Sequence, residues 1–141
     1  MASQVDQRPL PDLEDPVSSP FWREAAEGRL SFQQCATCGY LRWPPAALCP
    51  ECWSRDATWT PVSPEGAVWS FGVYERAFIA AFEAAVPYVV ALVELDAGPR
   101  LIANVVDIAP SEVAVGMRVT AVFEPFAEGA ALVNFRPAEA A

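Results

Sequence analysis

The chain contains no histidine and, among its nine basic residues, no lysine. These two absences remove the usual general base near neutral pH, the Ser-His and Cys-His pairs, the Schiff-base amine and the lysine that grips phosphate. The nine arginines stand against 18 Asp and Glu, for a formal net charge of −9. Affinity for nucleic acid comes mainly from cations that displace counterions from phosphates, so a chain this acidic is a poor general binder of DNA or RNA. Anionic membrane surfaces are disfavoured for the same reason. A long apolar run is missing too. The most hydrophobic stretch, 77–93, is cut by Glu83 and Pro87 and followed by Glu94, which fails as an uninterrupted span of about 20 residues. The N-terminal MASQVDQRPLPDLEDP has neither a basic n-region nor an apolar h-region, so no secretion signal is expected. These readings predict a cytoplasmic protein with no membrane and no nucleic acid among its partners.

What is present is enough for one ordinary domain or two very small ones, with 53% hydrophobic residues in 141. The texture changes along the chain. Residues 1–18 carry Pro9, Pro11 and Pro16 among Asp6, Asp12, Glu14 and Asp15, which disfavours helix and predicts an extended acidic arm. Ser19-Pro20 then offers an N-cap with proline at the first helical position, and Gly28 offers a stop. Within that helix Phe21/Ala25 and Trp22/Ala26 are four apart and share an apolar face. Docking on this chain's own core and docking on a partner both fit.

Residues 19–61 thus read as a helix followed by a small module that holds all four cysteines. From 62 to 137 the pattern is β-rich: strands are expected over 67–74, 88–96, 101–108, 117–124 and 131–136. Asp96-Ala97-Gly98-Pro99 makes a hairpin turn of the second and third, and one helical turn at Pro110 precedes the fourth. Five strands with a short helix after the third is the order of an OB-type barrel. Val89, Ala91, Val93 and Leu95 alternate with Val90, Leu92 and Glu94, so both faces of the second strand are largely apolar. One face fills a barrel and the other needs a cover, which is a first hint of an interaction protein. Residues 138–141 read as a tail. The fold class is therefore mainly β, with an N-terminal helical segment, a metal ribbon and a five-stranded OB barrel.

Cys35-x-x-Cys38-Gly39 and Cys49-x-x-Cys52, with ten residues between Cys38 and Cys49, carry the most specific chemistry. Each CxxC turn brings two thiolates to one ion, and Gly39 suits the positive φ that such a turn uses. Four soft ligands make a closed tetrahedral site, so the expected cofactor is structural zinc, with iron second because these turns are also rubredoxin-like. Four protein ligands leave no open position for substrate.

Pro20-Phe21-Trp22 with Gly28-Arg29-Leu30, the two CxxC turns, Trp43-Pro44-Pro45, the run from Pro87 to Leu95, and Val115-Gly116-Met117-Arg118-Val119 together carry a resemblance over 20–136. The chain resembles the rubredoxin-like zinc-ribbon/OB-fold proteins associated with acyl-CoA metabolism, long grouped as a domain of unknown function. That resemblance implies an auxiliary subunit, noncatalytic by itself, in a hetero-oligomer with a thiolase-superfamily enzyme. Partners in the family include thiolases, thiolase-like acyltransferases and retro-aldolases that shorten CoA-activated steroid side chains. The retro-aldolase reading leads. The partner does the carbon–carbon chemistry, while the auxiliary subunit stabilises it and helps form the acyl-CoA site. Some members are fused to a hydratase-like domain.

Candidate contacts with partner or substrate are Phe21, Trp22, Arg76, Phe78, Ile79, Phe82 and Tyr88. Phe78, Ile79 and Phe82 occupy a connection between strands where polar residues are expected. An amphipathic turn plugging the barrel mouth explains them equally well. Arg76, Arg100, Arg118 and Arg136 lie in the barrel half. CoA phosphates near this acidic chain would draw most of their positive charge from the partner. Tyr74, Tyr88, Glu75 and Glu83 are the plausible acid–base groups near the loop; none has a visible activating neighbour, and no catalytic residue is assigned. An OB-fold nucleic-acid module, with Trp69, Phe71 and Tyr74 as stacking groups, and a rubredoxin-like electron carrier are the readings of a different class.

Overall fold

A computed structural model of the chain describes residues 8–138. Residues 1–7 of the expected acidic arm and 139–141 of the expected tail lie outside the described residues. The arm's described part has turns at 13–14 and 16–18. Short acidic side chains fold back on the backbone there: Asp12 Oδ1 accepts from the N–H of Glu14 at 2.9 Å and Asp15 Oδ1 from that of Val17 at 3.0 Å.

Helix α1 spans Ser19–Ala26 with Pro20 in its first turn. Its cap is Ser18, one residue earlier than the Ser19 expected from sequence. Ser18 gives its hydroxyl to Asp15 Oδ2 at 2.7 Å and makes no side-chain cap. Gly28, at φ 76°, ends the helix, with Gly28 N–H on Ala25 O and Arg29 N–H on Glu24 O, both at 3.0 Å. That is a Schellman closure, and the left-handed residue explains the glycine.

A three-stranded antiparallel sheet follows, in the order β2-β1-β3, from β1 (Ser31–Cys35), β2 (Leu41–Arg42) and β3 (Ala57–Pro61). Phe21 resolves the question left open for α1. It is 2% exposed, its ring 6.1 Å from that of Phe32 and 4.5 Å from that of Trp43. The helix docks on this chain's own core, and burial of such a side chain contributes about 2 kcal/mol.

The remaining strands are β4 (Glu65–Tyr74), β5 (Tyr88–Leu95), β6 (Arg100–Val105), β7 (Arg118–Ala127) and β8 (Ala130–Pro137). They close as β4-β5-β6-β8-β7, with β4 returning to β7. This is the five-stranded OB barrel, with one 3₁₀ turn at Pro110–Glu112 after its third strand. Closure is uneven. β5 and β6 pair from Val89↔Val105 to Glu94↔Arg100, whereas β6 and β8 run parallel and meet at Val105↔Phe135 alone. Inside lie Val68, Val89, Val93, Val119 and Phe135, in one buried cluster with Phe21 and Phe32. Gly66 marks the tightest crossing, where a Cβ would stand 2.5 Å from the Glu94 carbonyl oxygen. A bulge between Val68 and Ser70 turns Trp69 outward.

Candidate metal centre and barrel-face groove

The four cysteines sit on two turns of matching construction. Gly39 N–H donates to Cys35 O at 3.0 Å and Trp53 N–H to Cys49 O at 2.9 Å; Cys35 N–H meets Tyr40 O and Cys49 N–H meets Ser54 O, both at 2.9 Å. The residue after each second cysteine is left-handed, Gly39 at φ 81° and Trp53 at φ 68°. This repeat folds two CxxC segments into facing knuckles, Cys35 and Cys49 buried, Cys38 and Cys52 exposed.

All four sulfurs lie within 4.8 Å of one another, with Cys35 Sγ 3.5 Å from Cys52 Sγ and Cys38 Sγ 3.6 Å from Cys49 Sγ. Zinc–sulfur bonds of about 2.3 Å in a tetrahedron need sulfurs roughly 3.8 Å apart, so the donor set fits a four-thiolate ion. Electrostatics agree. The N–H groups of Cys38 and then Thr37 hold the Cys35 thiol down to about 6. Against the pull of the Tyr40 N–H, burial and the thiols of Cys52, Cys49 and Cys35 push Cys38 up to about 12. Four crowded sulfurs cannot all carry negative charge alone, and a divalent cation removes that conflict. With every ligand from Cys35, Cys38, Cys49 and Cys52, a metal held there would supply folding energy and have no open coordination site.

The second feature is a groove of about 960 Å³ on the barrel face, over the weakly joined β6–β8 seam. Its walls include Tyr88, Ile102 and Asn104 from β5 and β6, Leu132 and Asn134 from β8, and Trp22 from α1. One rim is an aromatic series: Phe82 lies 5.8 Å from Tyr88, Tyr88 stacks on Tyr74 at 5.1 Å, and Phe78 meets Tyr74 edge-on at 6.3 Å. Arg76 covers Phe78, its guanidinium carbon 5.8 Å from the ring centroid. Between Tyr74 and Tyr88 the chain makes one 3₁₀ turn, Ala80–Phe82.

The expected contact residues therefore divide. Phe82 and Tyr88 line the groove, Phe78 joins them through Tyr74 and Arg76 through Phe78, and Trp22 lines the groove from α1 with its ring 6.3 Å from that of Phe126. Ile79 is 43% exposed and Phe78 74% exposed, so the loop is turned partly to solvent instead of plugging the barrel. Phe21 is enclosed and offers this chain's surface nothing. Sequence reasoning missed Ile102, Asn104 and Asn134, although the alternation of β6 carries a signal: Arg100 and Ile102 are exposed while Leu101, Ala103 and Val105 are buried. It also missed Arg8, which reaches Glu124 across the groove at 3.4 Å.

Two of the four arginines of the barrel half are paired with carboxylates. Arg118 holds Asp96 through two bonds of 2.8 and 2.6 Å, and Arg100 bonds Glu94 at 2.8 Å while lying over Trp69. Tyr74 and Tyr88 face each other, and the hydroxyls bonded to a carboxylate among the described residues, Ser18 to Asp15 and Ser31 to Glu24, lie outside the groove lining. None of the described helices is long and apolar enough to cross a membrane.

Comparison with known proteins places these features. Residues 22–57 match a family profile described as the ChsH2 rubredoxin-like zinc ribbon domain, and residues 59–124 one described as the ChsH2 C-terminal OB-fold domain. A probable enoyl-CoA hydratase alpha subunit of Thermomonospora curvata is 42% identical over 139 residues. The match covers 96% of this chain, which spans 43% of that relative's length. A DUF35 domain-containing scaffold protein of Methanocaldococcus jannaschii is 33% identical, with 82% of this chain and 83% of the relative covered. Among solved structures, the Ltp2-ChsH2(DUF35) aldolase superposes with a TM-score of 0.79 at 38% identity, over 92% of this chain and 98% of that one. A DUF35 protein of unknown function from Sulfolobus solfataricus shares the fold, with a TM-score of 0.61 at 15% identity. Ribbon, barrel and relatives agree, and the chain belongs to the ChsH2/DUF35 family.

Proposed function

We propose that this chain is a noncatalytic subunit of an acyl-CoA enzyme complex in the cytoplasm, bound to a thiolase-superfamily partner in a hetero-oligomer. The complex is a retro-aldolase that cleaves CoA-activated steroid side chains. The observation that carries the reading is the likeness to the Ltp2-ChsH2(DUF35) aldolase, which extends over nearly the whole of that matched chain. The chemistry of this chain supports it. A protein without histidine or lysine, whose four cysteines are drawn into one metal site, has little with which to cleave a carbon–carbon bond.

In this reading the ribbon holds the shape of the N-terminal half, and the barrel-face groove with its 76–87 loop borders the partner's acyl-CoA entrance. Its walls suit an uncharged acyl or pantetheine segment, because Asp107 and Glu124 line it and Arg8 is already paired with Glu124. Cations for the CoA phosphates come from the partner. The test is co-expression with a thiolase-fold enzyme of the same genome, followed by purification through a tag on either one. A stable complex that cleaves a hydroxylated steroid-CoA, with no turnover by the isolated subunit, supports the reading. Turnover by the isolated subunit overturns it. Cleavage of a β-ketoacyl-CoA by the complex transfers the role to a thiolase or acyltransferase.

A further inference from the structure

Among the described residues, Arg42 is the only charged side chain that is buried, at 3% exposure. No carboxylate pairs with it; the ion pairs of the described residues involve Arg8, Arg29, Arg100 and Arg118. Its partners are neutral: Nε donates to Gln33 Oε1 at 3.0 Å and Nη2 to Ala46 O at 2.9 Å, while Nη1 is enclosed without a partner. A cation taken out of water costs free energy unless an opposite charge lies near, and neutral acceptors recover only part of that cost.

The hydrogen bonds of Arg42 run to the strand and the linker that carry the cysteines. Arg42 ends β2 opposite Gln33 of β1, and Cys35 stands two residues beyond Gln33 on the same side of the strand. Gln33 and Cys35 are both buried. Four thiolates around a divalent ion leave the metal centre with a net negative charge. The same hydrogen bonds reach the other knuckle. Gln33 Oε1 also accepts the N–H of Ala46 at 2.8 Å, so Ala46 is gripped at both its N–H and its carbonyl. Ala46 lies in the linker three residues before Cys49. One arginine and one glutamine thus tie the strand bearing Cys35 to the segment delivering Cys49 and Cys52.

We propose that Arg42 is a positioning residue of the metal centre: its guanidinium clamps the linker that delivers Cys49 and Cys52, and its charge is the internal counter-ion of the loaded four-thiolate site. This inference concerns the ribbon alone and stands whatever enzyme the chain assists.

The test uses the full zinc-loaded chain and two readouts, the rate of zinc transfer to a chromophoric chelator and the thiolate-to-metal absorption bands after cobalt replaces zinc. Arg42→Met releases zinc at least tenfold faster and changes the cobalt bands. Arg42→Lys keeps the charge but loses the two-point grip, and falls between Met and the native residue. Gln33→Glu separates charge from packing, since it supplies the missing carboxylate beside Arg42. If that charge serves the metal centre, Gln33→Glu speeds zinc release severalfold while the near-ultraviolet signature of the folded barrel is kept. Zinc release at the native rate in Gln33→Glu, or in a folded Arg42→Met, overturns the proposal. Should Arg42→Met fail to fold, Arg42→Lys and Gln33→Glu decide it.

Discussion

Trp53 occupies in the second cysteine knuckle the place that Gly39 holds in the first, at φ 68° against 81°, with the same N–H bond back to the first cysteine of its turn. A tryptophan there is strained, since a bulky side chain disfavours left-handed backbone by about 1–3 kcal/mol. Its ring recovers little within this chain, being 78% exposed. Trp53→Gly is therefore expected to raise the melting temperature of the metal-loaded chain, by about 2–4 °C after the added freedom of the unfolded glycine is subtracted. Scanning calorimetry checks this. A fall in melting temperature would mean that the indole makes stabilising contacts.

Metal removal should unfold residues 31–61 before the barrel. Metal binding in small thiolate sites amounts to about 10–16 kcal/mol, and the ribbon sheet is only three short strands. Cys35→Ser or prolonged chelation is expected to abolish hydrogen-exchange protection in β1 and β3 while β5 stays protected. Equal loss across both regions would show that they unfold as one unit.

Phe21→Ala should cost about 3–5 kcal/mol, because the ring is enclosed against Phe32 and Trp43. Phe78→Ser should cost well under 1 kcal/mol, because that ring is 74% exposed. Urea titrations distinguish the two. In the complex, Phe78→Ser is expected to weaken partner association or acyl-CoA use several-fold despite its native stability.

Acid should loosen the barrel through Asp96. The Arg118 guanidinium holds its carboxyl below the ordinary value of 3.8. A carboxylate whose pKa is lower in the folded state contributes stability that is fully present above its unfolded pKa, and loses it as pH falls toward the folded value. Stability is therefore expected to fall below about pH 4, and Asp96→Asn to flatten part of that slope. The effect is modest because Asp96 and Arg118 are about half exposed. Urea midpoints between pH 3 and pH 6 measure it.

The order of the barrel was legible because its signals are local. Val89, Ala91, Val93 and Leu95 alternate, Asp96-Ala97-Gly98-Pro99 makes a turn, and Pro110 starts one helical turn. The cysteine spacing announced the ribbon in the same way. The groove was not legible, since Trp22, Tyr88, Asn104 and Asn134 are distant in sequence and meet only once α1 lies on the closed barrel. The helix starts one residue earlier than expected, and its cap Ser18 gives its hydroxyl to Asp15 instead of capping the helix, a competition between neighbouring polar side chains that residue type alone does not decide. Nothing in the sequence distinguishes Arg42 from the other arginines; its burial follows from β2 placing it against Gln33.

The proposed role as a noncatalytic subunit is tested most directly by one reconstitution. The purified zinc-loaded chain and a separately purified thiolase-fold enzyme of the same genome are assayed for acyl-CoA cleavage, alone and mixed, with complex formation followed by light scattering. Expected are a hetero-oligomer of defined mass, activity that rises with added subunit to a stoichiometric plateau, and none from the subunit alone. Cleavage by the isolated chain, or an enzyme that neither binds the chain nor changes rate in its presence, contradicts that role.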